Sequence, residues 1–250
     1  MFNDIVLIDF LRGGIMKVTK FGHCCMLIED KNVRILTDPG TFSTEQDNVE
    51  NIDVVLITHE HQDHFHIESL KNILANNQNA KIITNKTVGK LLDKEHIKYE
   101  IVEHNQHTKI RDVLIEGFGV KHAVMHSSFP QSDNTGYFIG NRLFYPGDAL
   151  TNPGKHVDIL AWPVAGPWIK IGEALDYALE LKPRVCFPVH DAVLVEGMRQ
   201  FTGMMAKQVL VPKGIEYVQL NADEAKDFQD LDINPMLEKS VIREVSDINL

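Results

Sequence analysis

The chain has little cysteine: three residues among 250, with Cys24 and Cys25 adjacent and Cys186 far from both. Three thiols in this arrangement do not make the paired framework of a disulfide-stabilised secreted protein. The sequence also lacks an apolar run long enough to cross a bilayer, and its N-terminus has neither the basic start nor the cleavage site of a signal peptide. We therefore predict a cytoplasmic protein with no membrane span.

Positive charge is also scarce. The chain has 25 Lys and Arg against 35 Asp and Glu, a formal net charge of −10 with histidine neutral. A surface of that sign repels phosphate backbones, so no nucleic-acid partner is expected.

No Gly-, Pro- or Ser-rich linker divides the chain, and 44% of its residues are hydrophobic, which is enough for a sizeable core. The regular strand pattern begins only at Met16, and "RGG" just before it is what a ribosome-binding site would encode in frame. We therefore predict one domain over residues 16–250, with residues 1–15 as a non-native or upstream extension.

Alternating or continuous apolar stretches predict strands, and apolar residues at helical spacing predict helices between them. The predicted strands lie in KVTKFGHCCMLIED, VRILTDPG, VVLIT, AKIIT, IKYEIVE, VLIEGFGV, TGYFIG, RLFYPGD, VDILAWPV and RVCFPVHD. The predicted helices lie in HIESLKNILANN, VGKLLDKE, IGEALDYALEL and VLVEGMRQFTGMMAKQV. Strands with helices on their outer faces imply a layered α/β (α+β) architecture. The polar segment from Asn221 onward gives no clear pattern.

The stretch "LITHEHQDHFHI", residues 56–67, places four histidines and two carboxylates directly behind an apolar strand. In a loop, residues at i, i+2 and i+4 project to a common side, so His59, His61 and Asp63 can converge while His64 turns toward a neighbouring point. Imidazole and carboxylate are ligands for Zn, Fe or Mn, and two such sets side by side suggest two metal sites. The alternative is a solvated polar loop that caps the following helix.

One loop cannot complete two metal sites, so further ligands are expected at other strand ends. His122, His126, Asp148 and His190 each follow an apolar strand-like segment by a few residues. Each of them taken alone also fits a hydrogen-bonded strand histidine, a turn residue or a helix start.

With "HEHQDH" at 59–64 and the strand ends "TDPG", "GVKH", "PGD" and "PVH" in this order, the chain resembles the metallo-β-lactamase superfamily. The resemblance runs from Met16 to about His190 and is greatest to the ascorbate-phosphate lactonase-like and phospholipase D-like branches. It implies a four-layer αββα sandwich of two β-sheets flanked by helices. It also implies that Asp38 is a buried residue that steadies the loop of residues 59–64, here called the signature loop.

The resemblance further implies a ligand set for two divalent ions. His59, His61 and a third histidine bind the first ion, Asp63, His64 and His190 bind the second, and Asp148 bridges both. We expect His122 to be the third histidine because the strand runs into it without a break, with His126 as the alternative. His23, in "FGHCC", resembles a position near the site mouth, although a lone turn histidine is more often structural.

Such a centre is expected to carry out hydrolysis, with a bridging hydroxide as nucleophile. The expected cofactors are two divalent metal ions, zinc first, with manganese or iron as alternatives. Asp63 and His126 are the candidate catalytic proton carriers, and Trp168 and Lys170 either contact substrate or only pack and face solvent. The expected partner is a small or medium ester, lactone or phosphodiester-type substrate; homo-oligomerisation is left open.

Two other functions remain open at this point. The same ligands can hold iron and support redox chemistry, as in persulfide dioxygenases of this superfamily. A metal-binding protein without catalysis is the third candidate, disfavoured because every expected ligand position is filled.

Overall fold

The structure is a computed structural model and describes residues 14–43 and 45–230. The predicted extension over residues 1–15 lies outside the described residues except for Gly14 and Ile15, and so does the last part of the predicted domain, residues 231–250. The first strand begins at Met16, the residue at which the sequence predicted the regular pattern to begin.

Within the described residues, the first sheet has seven strands, antiparallel on one side and parallel on the other. The strands are β1 (Met16–Gly22), β2 (Cys25–Asp30), β3 (Val33–Thr37), β4 (Val54–Leu56), β5 (Lys81–Thr84), β6 (Glu100–Ile101) and, from the end of the described chain, β14 (Glu224–Phe228). Their order is β14-β1-β2-β3-β4-β5-β6, with β3 to β6 parallel to one another.

The second sheet repeats this plan with the middle and later part of the chain. Its strands are β7 (His107–Ile110), β8 (Val113–Phe118), β9 (Gly136–Ile139), β10 (Leu143–Tyr145), β11 (Ile159–Pro163), β12 (Val185–Val189) and β13 (Glu216–Tyr217). Their order is β13-β12-β11-β10-β9-β8-β7, and β10 to β13 are parallel.

Both sheets carry apolar side chains on both faces, so each sheet packs against the other sheet on one face and against helices on the other. Side chains alternate across a strand, so Ile159 and Ala161 of β11 enter one buried cluster while Leu160 and Trp162 enter another. The first of these clusters lies between the sheets, because β1 to β4 of the other sheet contribute to it as well. The second cluster, like its counterpart behind the first sheet, is covered by helices.

Four α-helices cover the outer faces in the described part of the chain. They are α1 (Ile67–Asn76), α2 (Lys86–Lys94), α3 (Ile171–Leu181) and α4 (Glu196–Val209). The first two pack on the first sheet through Leu70 and Leu92, and the last two on the second sheet through Leu175 and Ala206. The predicted four-layer αββα sandwich is therefore confirmed.

The structure differs from the sequence prediction at the sheet edges. β7 and β13 were not predicted, and the polar segment after Asn221 contributes β14, which pairs with β1. The strand predicted over IKYEIVE is reduced to Glu100–Ile101. Among the described residues, none of the helices combines the length and apolarity needed to cross a membrane.

Candidate metal centre

The histidine-rich loop joins β4 to α1 and packs against the loop that follows β3. His64 and Phe65 both donate their backbone N–H groups to the carbonyl of His61, which folds the loop into a tight turn. Gly40 lies directly beneath this turn, where an added Cβ would be 2.0 Å from the carbonyl group of Asp63. No other residue type has the space for such a close backbone approach.

Asp38 anchors the same loop through its buried carboxylate. Its Oδ1 accepts from the backbone N–H of Thr58 at 2.8 Å, and its Oδ2 accepts from Thr58 Oγ1 at 2.6 Å, His64 Nδ1 at 2.7 Å and Tyr145 Oη at 2.5 Å. With its Nδ1–H engaged in this way, His64 directs Nε2 toward the interior of the site. The role expected for Asp38 agrees with these contacts.

His59, His61 and His122 form a first group of imidazoles. Their ligand atoms lie within 4.8 Å of one another, and the ring centroids are separated by 4.6 Å, 4.8 Å and 5.1 Å. His59 Nε2 and His61 Nδ1 are 3.1 Å apart, as two lone pairs directed at one cation would be.

The outer nitrogens of these imidazoles have partners that fix the rings. Because Thr58 Oγ1 donates to Asp38, it accepts from His59 Nδ1, at 3.0 Å. His122 Nδ1 donates to the carbonyl of Ala123 at 2.6 Å, and Ser132 Oγ lies 3.2 Å from His61 Nε2. Metal-binding histidines are typically held in this way by a hydrogen bond on the second nitrogen.

A second group gathers around one carboxylate oxygen, Oδ2 of Asp63. Nε2 of His23, His190 and His64 lie 3.1 Å, 3.4 Å and 3.7 Å from it. All four ligand atoms fall within 4.8 Å of one another. Three histidines therefore surround this carboxylate, where the sequence predicted two.

Asp148, at the end of β10, lies between the two groups. Its carboxylate is 3.1 Å from His64 Nε2, 3.0 Å from His190 Nε2 and 3.3 Å from His122 Nε2. Asn134 positions it by accepting the Asp148 backbone N–H at 3.0 Å and donating to the carbonyl of Pro146 at 2.8 Å. Oδ2 of Asp148 is the oxygen near both His122 of the first group and His190 of the second, and Oδ1 is the oxygen near His64.

The pKa values of the site residues are set by burial and by the charges of their neighbours. Burial, followed by the charge of His64, lowers the pKa of His59 well below its ordinary value, which keeps that imidazole neutral. Burial has the same direction for His64, but Asp148 and Asp38 outweigh it and raise the pKa of His64 well above its ordinary value. Burial opposes ionisation of Asp148, yet His64 and His190 hold its pKa well below the usual range. The lowered pKa keeps the Asp148 carboxylate in the ionised form, which is the form that binds a cation.

Several inward-facing atoms are buried and have no hydrogen-bond partner among the residues that the structure describes. They are Nε2 of His64, His122 and His190 and Oδ1 of Asp148. Buried polar atoms are normally satisfied, and four unsatisfied donor atoms of the types that zinc, manganese and iron prefer fit a metal centre.

His126 lies elsewhere. It is exposed, its Nδ1 is 2.7 Å from Ser128 Oγ, and its ring packs on Phe129. In the described part of the chain it belongs to neither group of ligand atoms, whereas His122 does. The geometry therefore favours His122 as the third histidine, and the proton-carrying role of His126 stays a prediction.

Trp168 forms one wall of the site. Its ring lies 5.7 Å from both His122 and His190, and the residue is buried, with an indole N–H that has no partner. Lys170 is exposed at the start of α3. Trp168 therefore packs against two imidazoles of the site, and its contact with substrate stays a prediction.

Sequence reasoning missed several residues that the fold brings here. Thr58, Ser132, Asn134 and Tyr145 have no spacing signal, because they meet the site only after the sheets pack. His23 was noted as resembling a position near the site mouth, with a structural role as the more common alternative, and it was not included among the predicted ligands. Like Asp38 and His190, it has a positive φ, of 35° against 37° and 59°, a conformation that non-glycine residues adopt at cost and often at functional sites.

Comparisons with known proteins show what the chain is similar to. A sequence profile described as the β-lactamase superfamily domain matches residues 17–190. Protein Rv0786c of Mycobacterium tuberculosis is 34% identical over 219 residues, which cover 86% of this chain and 95% of that protein. UPF0173 metal-dependent hydrolase NEQ378 of Nanoarchaeum equitans is 25% identical over 230 residues, covering 85% of this chain and 100% of that protein.

Among solved structures, the fold is similar to that of Igni18, described as a metallo hydrolase from Ignicoccus hospitalis. The TM-score is 0.70 at 20% sequence identity, covering 86% of this chain and 99% of that one. At this identity the likeness concerns the fold.

Proposed function

The chain belongs to the metallo-β-lactamase superfamily and is a metal-dependent hydrolase, and from this premise we propose that its centre holds two divalent metal ions. The observation that carries the proposal is the pair of ligand groups joined by Asp148. His59, His61 and His122 would hold one ion, Asp63, His64 and His190 the other, and Asp148 both. Zinc is the expected metal, since imidazole and carboxylate suit it; manganese and iron fit the same donors.

Two bound ions would supply an activated water as nucleophile and stabilise negative charge on the substrate in the transition state. The protein's own contribution is to hold the donors rigid. Asp38 and Thr58 fix the tautomers of His64 and His59, and burial excludes competing water from most of the donor set.

Asp63 is the carboxylate of the site that substrate can approach. Its side chain is 23% exposed, against 3% for Asp148. Burial alone would raise its pKa, but hydrogen bonds with His190 and His23 outweigh burial and lower it below the usual range. The lowered pKa keeps Asp63 in the ionised form that binds a cation, which supports it as a metal ligand. Its exposure alone is the ground on which we also propose it as the proton carrier to the leaving group.

We propose a small or medium ester, lactone or phosphodiester as the substrate. A formal net charge of −10 disfavours long polyanions such as nucleic acids. Specificity within the class resides in loops rather than in the fold, which makes substrate identity a matter for direct screening.

The test begins with elemental analysis of protein purified without added metal. Reconstituted protein is then screened for hydrolysis of phosphodiesters, lactones and thioesters. We expect two ions per chain and activity in one class, with His61→Ala and Asp148→Ala losing metal and activity but keeping the fold by circular dichroism. The control is His107→Ala, an exposed histidine of β7.

Retention of both ions and of activity in the two site variants would refute the ligand set. A coloured, iron-loaded protein that hydrolyses nothing in the screen would instead favour the redox alternative.

A further inference from the structure

We propose that His23 is a metal-binding residue that acts as a fourth protein donor beside Asp63, His64 and His190. This inference rests on the dinuclear centre proposed above. His23 lies between β1 and β2, in a turn outside the signature loop and outside every strand end from which ligands were predicted.

The distances around Asp63 carry the inference. Among the three imidazoles that surround Oδ2 of Asp63, His23 is the nearest, at 3.1 Å, ahead of His190 at 3.4 Å and His64 at 3.7 Å. A zinc ion with ligands at 2.0–2.1 Å in tetrahedral geometry separates neighbouring ligand atoms by about 3.3–3.4 Å. His23 therefore stands at a ligand-to-ligand distance, as the two predicted histidines do.

The ring positions agree. The His23 ring centroid is 4.0 Å from that of His190 and 5.7 Å from that of His64, while His64 and His190 are separated by 5.3 Å. These separations bracket the 4.6–5.1 Å found among the imidazoles of the first group. Three rings arranged around one carboxylate oxygen form a group of the same size as the first.

The surroundings of His23 hold it in place. The residue is 1% exposed, and its ring packs in a T-shaped arrangement with that of Phe42, with 5.1 Å between the ring centroids. Its carbonyl accepts the backbone N–H of His190 at 3.1 Å, which connects the turn directly to the end of β12. Because this hydrogen bond fixes the backbone of the turn and burial confines the imidazole, little order has to be gained when a cation binds.

The two ions would then differ in their protein donors. With His23, the second group has four donors besides Asp148; the first has three. Metal sites filled by protein donors are typically structural, while those with an open position do chemistry. Counting Asp148, the first ion would have four protein donors and the second five, so the ion beside His59, His61 and His122 keeps the more open coordination for substrate and the other ion is the more tightly retained.

The experiment compares wild type with His23→Ala, His23→Gln and the control His107→Ala. Gln can still donate a hydrogen bond to Asp63 but is a poor metal ligand, so it separates binding of metal from positioning of Asp63. Each protein is loaded with Co²⁺ or Zn²⁺, and the affinity for each ion is measured by competition with a chelating dye. The visible Co²⁺ spectrum reports the coordination, and circular dichroism reports the fold.

Wild type and His107→Ala are expected to bind two ions. His23→Ala and His23→Gln should keep one ion and bind the other at least ~100-fold more weakly, since loss of even an outer hydrogen-bond partner costs about 10–100-fold. The Co²⁺ spectrum should change in both.

Wild-type affinity for both ions in either His23 variant would overturn the inference and leave the dinuclear centre standing. A wild type that binds fewer than two ions would overturn the dinuclear centre and this inference with it.

Discussion

Asp38 shows how much of the centre depends on a residue that touches no substrate. Its carboxylate receives four hydrogen bonds, from the backbone and side chain of Thr58, from His64 and from Tyr145. Each donor needs an acceptor that is not itself a donor, and only a carboxylate supplies two such oxygens.

Asp38→Asn should therefore lower metal affinity by about 10–100-fold while leaving all predicted ligands in the chain. The amide N–H group of Asn would face the N–H of His64 or the hydroxyl of Thr58, neither of which could then donate to it. The imidazole of His64, or that of His59 which Thr58 positions, would lose its fixed orientation. Competition with a chelating dye measures the effect, and Asp112→Asn, at a residue whose side chain is 85% exposed, is the control. Equal affinities in the two variants would contradict this role.

Asp30 provides a prediction about pH at the other end of the sandwich. Its Oδ2 is buried without a hydrogen-bond partner in the described part of the chain, and burial raises the pKa of the carboxyl. A raised folded-state pKa means that ionised Asp30 costs stability above that pKa, and the cost vanishes below the unfolded value, about 3.9.

Asp30→Asn should thus raise Tm at pH 7 by a few degrees, since ~1 kcal/mol moves a domain of this size by about 2–4 °C. The gain should shrink as pH falls toward 4. Thermal denaturation of both proteins between pH 4 and 8 measures it, and a gain that is constant over this range would exclude ionisation as the cause.

The site could be predicted from sequence to the extent that its residues are close in the chain. His59, His61, Asp63 and His64 occupy six positions, and their spacing alone indicated a metal loop. His23 has no such neighbours. Its proximity to Asp63 arises only when the β1–β2 turn meets the loop after β4, a tertiary contact that no local pattern encodes.

At the level of elements, the missed strands share one property: they are sheet edges. β7, β13 and β14 are three of the four edges of the two sheets, and β6, of which only two residues form a strand, is the fourth. Four of the five β14 residues are exposed, so the alternation that identifies a half-buried strand is missing. Central strands such as β11 and β12 are buried throughout and were predicted correctly.

β1 and β12 belong to different sheets and are joined by a buried lysine. Lys20 Nζ donates to Asp191 Oδ1 at 2.6 Å and to the carbonyl of Pro188 at 2.9 Å. Both side chains of this ion pair are more than nine-tenths buried. The contact also fixes the backbone on either side of His190.

Lys20→Met should lower the free energy of unfolding by about 3–5 kcal/mol, because it leaves the Asp191 carboxylate buried and unpaired. Lys20→Met/Asp191→Leu should recover most of that loss, since an apolar pair of similar volume is often no less stable. Urea denaturation of the single and double variants measures the cycle. If the free energy of unfolding of Lys20→Met lay within ~1 kcal/mol of the wild-type value, the ion pair would contribute little to stability.

For the whole molecule, the two metal groups take donors from both sheets, so bound ions should stabilise the packed sandwich. Metal at 100 times its dissociation constant adds about 2.7 kcal/mol, which corresponds to a Tm change of roughly 5–10 °C for a domain of this size. Chelation of wild type should produce this decrease in thermal scans. Asp148→Ala, with its shared carboxylate removed, should respond far less, and an equal response would mean that the stabilising ion binds elsewhere.

The distribution of donors along the chain has one more consequence. His23 and the 59–64 loop come from the part that ends with β6, and His122, Asp148 and His190 from the part that begins with β7. If the polypeptide were expressed as two fragments severed between these strands, neither piece would own a complete coordination set. Reappearance of cobalt colour on mixing would then report reassembly, much as a split reporter does.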